Sequence, residues 1–115
     1  MFIGNALGDV KGVKGRMYAL AAESGRIVWE SYLVPKQPED PARGPEGRMP
    51  ASAITTWENA PDVPISGGAT WTSYTLDPAT RRLYVPVANG APDFVKHLRE
   101  GLNLYTNSVV CALYP

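Results

Sequence analysis

The sequence is poor in the features that mark many common functional classes. It has a single cysteine, Cys111, so no internal disulfide can form and cysteine usage does not fix a redox compartment. It has a single histidine, His97, in the polar run KHLRE, with no second histidine to make a zinc site. Neither sign of charge dominates: 11 basic and 11 acidic residues are scattered without a block of either. That argues against a nucleic-acid stripe and against a polybasic membrane patch. No apolar run approaches the ~20 residues of a membrane helix. The opening MFIGNALGDV has neither the basic start nor the long apolar stretch of a signal peptide. The stretch KGVKG, residues 11–15, lacks the Gly-Lys-Ser/Thr of a phosphate loop. Ser66 and Ser73 have no partner base in a recognisable arrangement, so hydrolase chemistry has little support. Helical periodicity is nearly missing, with FVKHLREG, residues 94–101, as the one short candidate.

What is present is the vocabulary of strands and turns. The 115 residues suffice for one small domain, and 44% of them are hydrophobic. Eleven glycines and eleven prolines point to many turns or long irregular loops. Short runs rich in Val, Ile, Tyr and Trp predict strands at 2–3, 16–20, 27–33, 70–76, 83–87 and 108–113. Between Val34 and Ser66 lie prolines at 35, 38, 41, 45, 50, 61 and 64, read as a long surface loop without a regular element.

An internal repeat organises these strands. YALAAESGRIVW, residues 18–29, aligns without a gap to YTLDPATRRLYV, residues 74–85, as Tyr-x-Leu-x-x-x-(Ser/Thr)-x-Arg-(Ile/Leu). Each reads as a hairpin, and CALYP from Cys111 reads as the start of a third copy, cut off at Pro115. Recurrent β modules of this spacing predict an all-β fold of the propeller type, in which each module buries its faces only against neighbours. Two modules and a stub are too few to close a propeller. The expected layout is a first blade portion at 1–33, the long loop at 34–66, and a second blade portion with the start of a third repeat at 67–115.

Three blocks in register resemble the quinoprotein alcohol dehydrogenases, eight-bladed propellers that carry pyrroloquinoline quinone (PQQ) and a calcium ion. They are GDVKGVKGRMYALAAESGRIVWESYLVP (8–35), SGGATWTSYTLDP (66–78), and VANGAPDF (87–94) with REGLNLYTNSVV (99–110). The resemblance implies that Asp9 and Asn89 are calcium ligands, that Trp71 is the floor under the quinone, and that Gly8 lies in a loop passing its edge. It makes Trp29 a blade-docking residue and gives Trp57 no role. The residue chemistry agrees: calcium takes oxygen ligands, and a flat cofactor suits an aromatic face. Simpler readings stand beside these: a turn carboxylate for Asp9, an Asn-Gly hairpin turn for Asn89, a core strand position for Trp71.

The resemblance also implies a small alcohol substrate, an electron acceptor and a periplasmic setting. The family's catalytic aspartate falls beyond this sequence, and its vicinal cysteines and quinone-side arginine fall before it. The chain is therefore expected to be a fragment of about two blades, inactive alone, with sheet edges that self-associate. The alternative is a non-enzymatic propeller-type structural or binding module. Departures from the family pattern are Leu7 at a small-residue position, Ala21 for an aspartate, Arg81 for a turn glycine, Leu102 and Tyr114 each for an aspartate, and Gly90 for a proline, the last expected to loosen the Asn89 loop.

Overall fold

The computed structural model describes residues 1–47 and 49–114; Pro115, the last residue of the stub read as a third repeat, lies outside them. The described residues build two three-stranded antiparallel sheets and two short strand pairs. The first sheet runs in the order β1 (Phe2–Gly4), β2 (Arg16–Leu20), β3 (Ile27–Tyr32). The two-residue strands β4 (Glu58–Asn59) and β5 (Ser66–Gly67) follow, then β6 (Thr75–Asp77), β7 (Arg82–Val87), β8 (Gly90–Ala91), β9 (Arg99–Glu100) and β10 (Ser108–Leu113). The second sheet has the order β10-β7-β6, while β4 pairs with β9 and β5 with β8.

Alternation along β7 explains how the sheets meet. Leu83, Val85 and Val87 point inward and form one core with Met17 of β2 and Leu33 just after β3. Trp29, predicted to dock modules, packs against this shared core and lies beside Phe2, ring centroids 6.1 Å apart. Phe2 in turn meets Tyr114 edge-on at 5.7 Å, tying the first sheet to the second.

Both predicted hairpins form, and their turns differ as the sequence implies. In the first, the Gly25 amide donates to the Ala21 carbonyl, the Ala21 amide to the Arg26 carbonyl and the Arg26 amide to Ser24 Oγ, so the turn closes where Ala21 offers no carboxylate. In the second, the Asp77 carboxylate accepts from the Ala79 and Thr80 amides and from the Thr80 hydroxyl. Those bonds, led by the hydroxyl, hold the Asp77 carboxyl below its ordinary range. Arg81 takes φ +54° where the first turn has Gly25 at +70°.

The hairpins are not equivalent in their sheets. The third strand joins the leading strand of the first hairpin, β2, but the trailing strand of the second, β7.

The stretch from Val34 to Ser66 corrects the expectation of a surface loop without regular elements. It carries a 3-10 helix at Ala51–Thr56 and the strand β4, and it buries Val34, Ala53, Trp57 and Ile65. These elements are too short, and too closely bounded by proline, to show a period. Its first part is clamped by charge. The Lys14 ammonium, buried, donates to the Asp40 carboxylate, to Gln37 Oε1 at 3.0 Å and to the Pro35 carbonyl at 3.1 Å. Glu30, also buried, accepts from the Arg43 amide at 2.5 Å. The 94–101 candidate shrinks to a 3-10 turn at Lys96–Leu98 before β9, and the 70–76 strand begins only at Thr75. Among the described residues no helix is long and apolar enough to cross a membrane.

Candidate active-site cleft

Three loop segments converge because small residues let their backbones touch. Gly15 donates its amide to the Gly67 carbonyl at 2.7 Å, and Gly67 donates to the Val13 carbonyl at 2.9 Å. From there the ladder continues: the Gly68 amide donates to the Asn89 carbonyl, the Ala88 amide to the Ala69 carbonyl and the Asn107 amide to the Ala88 carbonyl, at 2.8 to 3.1 Å. Gly8 lies directly on Ala69, so close that a Cβ on it would fall 2.7 Å from the alanine methyl. The result is a cleft of about 720 Å³ walled by segments 6–9, 69–72 and 86–89, with Asp93 and Asn107 at its side.

All four residues singled out from the sequence, Gly8, Asp9, Trp71 and Asn89, line this one cleft. Trp71 is 82% exposed, so the core-tryptophan reading fails and its ring faces open space. Segment 70–74 leaves the sheet to carry it there; the Tyr74 hydroxyl donates to Thr70 Oγ1 at 2.9 Å, fixing the departure. Asp9 and Asn89 are exposed, and no side chain lining the cleft is basic. Two carboxylates, Asp9 and Asp93, thus face a site with no counter-charge of its own. That field favours a cation.

Gly90 does not loosen the Asn89 loop as expected. β8 pairs with β5, Gly67 opposite Gly90, and a Cβ on Gly90 would come within 3.3 Å of both Trp57 and Arg99. Trp57, without a role in the sequence reading, anchors this wall: its indole N–H donates to the Leu104 carbonyl at 2.8 Å, and its ring packs with Val34 and Ile65. Asp93 and Asn107 were also missed, since a lone Asp or Asn in a loop carries no spacing signal.

Leu7 projects on the cleft rim, 64% exposed at φ +66°. The left-handed conformation costs a non-glycine residue about 1–2 kcal/mol, while glycine adds about 0.5–1 kcal/mol of chain entropy to lose. Leu7→Gly is therefore expected to hold or slightly raise the melting temperature. Leu76→Gly, on an extended strand, should lower it, and thermal unfolding of the two variants checks the contrast.

The sequence profile for the "Glucose/ethanol/alcohol dehydrogenase, beta-propeller domain" that carries PQQ matches residues 3–113. The chain belongs to this PQQ β-propeller family. It is 36% identical to the quinohemoprotein alcohol dehydrogenase ADH IIB of Pseudomonas putida, over 96% of this chain and 16% of that protein. The dehydrogenase subunit of the quinone alcohol dehydrogenase of Acetobacter aceti is 33% identical over 100% of this chain and 16% of its own length. The fold agrees with the crystal structure of the quinohemoprotein alcohol dehydrogenase of Comamonas testosteroni at a TM-score of 0.75 and 30% identity, covering 96% of this chain and 16% of that one. The PQQ propeller segment thus spans about a sixth of the length of the relatives it matches.

Proposed function

We propose that this chain forms one wall of the cofactor cleft of a PQQ- and calcium-dependent alcohol dehydrogenase, supplying about two blades of a periplasmic enzyme that passes electrons from a small alcohol to an acceptor. The observation that carries the proposal is the convergence of Gly8, Asp9, Trp71 and Asn89 on one cleft from positions up to 81 apart in sequence.

The donor set fits calcium in kind. A carboxylate at Asp9 and an amide oxygen at Asn89 are hard oxygen ligands, and the cleft carries no competing cation. They do not complete a shell: among the described residues no group of three His, Cys, Asp or Glu could hold a metal. Calcium takes about six to eight oxygens, so further donors must come from the cofactor and from other chain segments. Trp71 offers a flat exposed face, and stacking of a planar ring there is worth about 0.5–1.5 kcal/mol beyond burial. When bound, a quinone with calcium supplies a two-electron acceptor whose carbonyl the cation polarises. Gly8 keeps the adjoining loop thin enough to sit on Ala69 at the cleft wall.

Calcium affinity tests the reading. Asp9→Ala and Asn89→Ala are each expected to weaken Ca²⁺ binding at least tenfold by isothermal titration, and wild-type affinity in both variants would remove the ligand assignments. With PQQ, Ca²⁺, an alcohol and an artificial acceptor, the chain alone is expected to show no turnover, because its oxygen donors do not complete a calcium shell and it supplies only one wall of the cleft. Measurable turnover would refute that. The non-enzymatic module reading is favoured only if calcium and PQQ both fail to bind.

A further inference from the structure

We infer that Asp93 is a positioning residue that fixes the Asn89 side chain with its carbonyl oxygen presented to the cleft; this rests on Asn89 being a cation ligand. The Asn89 amide nitrogen has two N–H groups. One donates to the Gly90 carbonyl at 3.1 Å and the other to Asp93 Oδ1 at 2.5 Å. Both donors are used on the loop side, so Oδ1 of Asn89 is left for the cleft. Turning the amide over would set its oxygen against the Asp93 carboxylate, acceptor to acceptor. The Asp93 carboxylate offers acceptors and no donor, so it selects one of two otherwise similar amide orientations.

Asp93 is itself held. The Arg99 guanidinium, buried, donates to the neighbouring Pro92 carbonyl at 3.2 Å and to Asn103 Oδ1 at 2.9 Å. The loop carrying Asp93 is thereby fixed to the interior, while β8 fixes the backbone of Asn89 on its other side. An unanchored amide would spend part of its time with N–H groups facing the cation, which repel it. Partners that orient a ligand in this way commonly contribute 10–100-fold to metal affinity.

The test uses the whole chain and terbium(III), an oxygen-seeking ion whose luminescence is sensitised by a nearby indole, here Trp71. Asp93→Ala is expected to weaken terbium binding about tenfold. Asp93→Asn, whose side-chain oxygen still accepts from Asn89, is expected to stay within about threefold of wild type. If Asp93→Asn loses as much as Asp93→Ala while both keep native near-UV circular dichroism, Asp93 acts by its charge and the inference is overturned. If Asp9→Ala and Asn89→Ala weaken binding but Asp93→Ala does not, the inference alone falls; if none of the three matters, the ligand reading falls and takes the inference with it. Should Asp93→Ala fail to fold, wild-type NMR decides. The Asn89 side-chain NH₂ is expected to exchange at least tenfold more slowly than that of exposed Asn107, and equal rates would overturn the inference.

Discussion

Gly67→Ala is expected to unfold the cleft and to cost the chain roughly 2–5 kcal/mol. Two effects add. Gly67 sits at φ +92°, a conformation that costs a residue with a Cβ about 1–2 kcal/mol. A Cβ there would also stand 2.5 Å from the Ala91 nitrogen and 2.7 Å from the Asn89 carbonyl oxygen, both backbone, so neither can swing aside. Overpacking of this kind costs about 1–3 kcal/mol. Small domains have only about 5 kcal/mol or a little more to lose. The site cannot relax by moving one strand, because Gly67 bonds both Val13 and Gly15 and lies opposite Gly90 of β8. Gly25→Ala is the control: its φ is +70°, with nothing within 4 Å of an added Cβ, so it should lose only the conformational term. Thermal and urea unfolding measure both, and a Gly67→Ala variant no less stable than Gly25→Ala would refute the argument.

The same glycine shows what was legible in the sequence. SGGATW announces an unusual backbone leading to a tryptophan, and the structure gives the reason: Gly67 and Gly68, both at positive φ, thread between the N-terminal loop and the Asn89 wall so that Trp71 emerges into the cleft. Hairpins with period-two alternation and a turn were equally readable, as at Leu83, Val85 and Val87. Trp57 and Asp93 were not. Trp57 is buried by contacts with Leu104, Gly90 and Val34, all distant in sequence, and Asp93 matters only through where Asn89 lies. The repeat gave the hairpins but not their place in the sheets, because which hairpin strand receives a third partner depends on segments outside the repeat.

The chain is expected to self-associate through the edge of β10, and Val109→Lys with Cys111→Lys to leave it a monomer. β10 is bonded to β7 along Ser108–Leu113 and to no other strand among the described residues, leaving its outer edge open. The strand reads SVVCAL, with no charge and no proline, the two devices that most often protect an edge. Its outward residues are apolar too: Val109 is 66% and Leu113 73% exposed, with Cys111 exposed between them. Beside it lies an apolar cleft of about 680 Å³ lined by Met17, Trp29, Leu33 and Tyr105, ready to take the side chains of an added strand. An uncharged strand can pair antiparallel with its own copy without like-charge repulsion, and the two lysines of the variant would face those of the partner across the two-fold. Because Val109 and Cys111 already face solvent, the change should cost the fold under about 0.5 kcal/mol. Sedimentation velocity over a hundredfold concentration range tests it. Wild type should grow in mass with concentration and the double-lysine variant should not; Ile3→Lys on the β1 edge should leave the growth intact. A wild-type chain that stays monomeric throughout would show that the β10 edge is protected by something other than its own side chains.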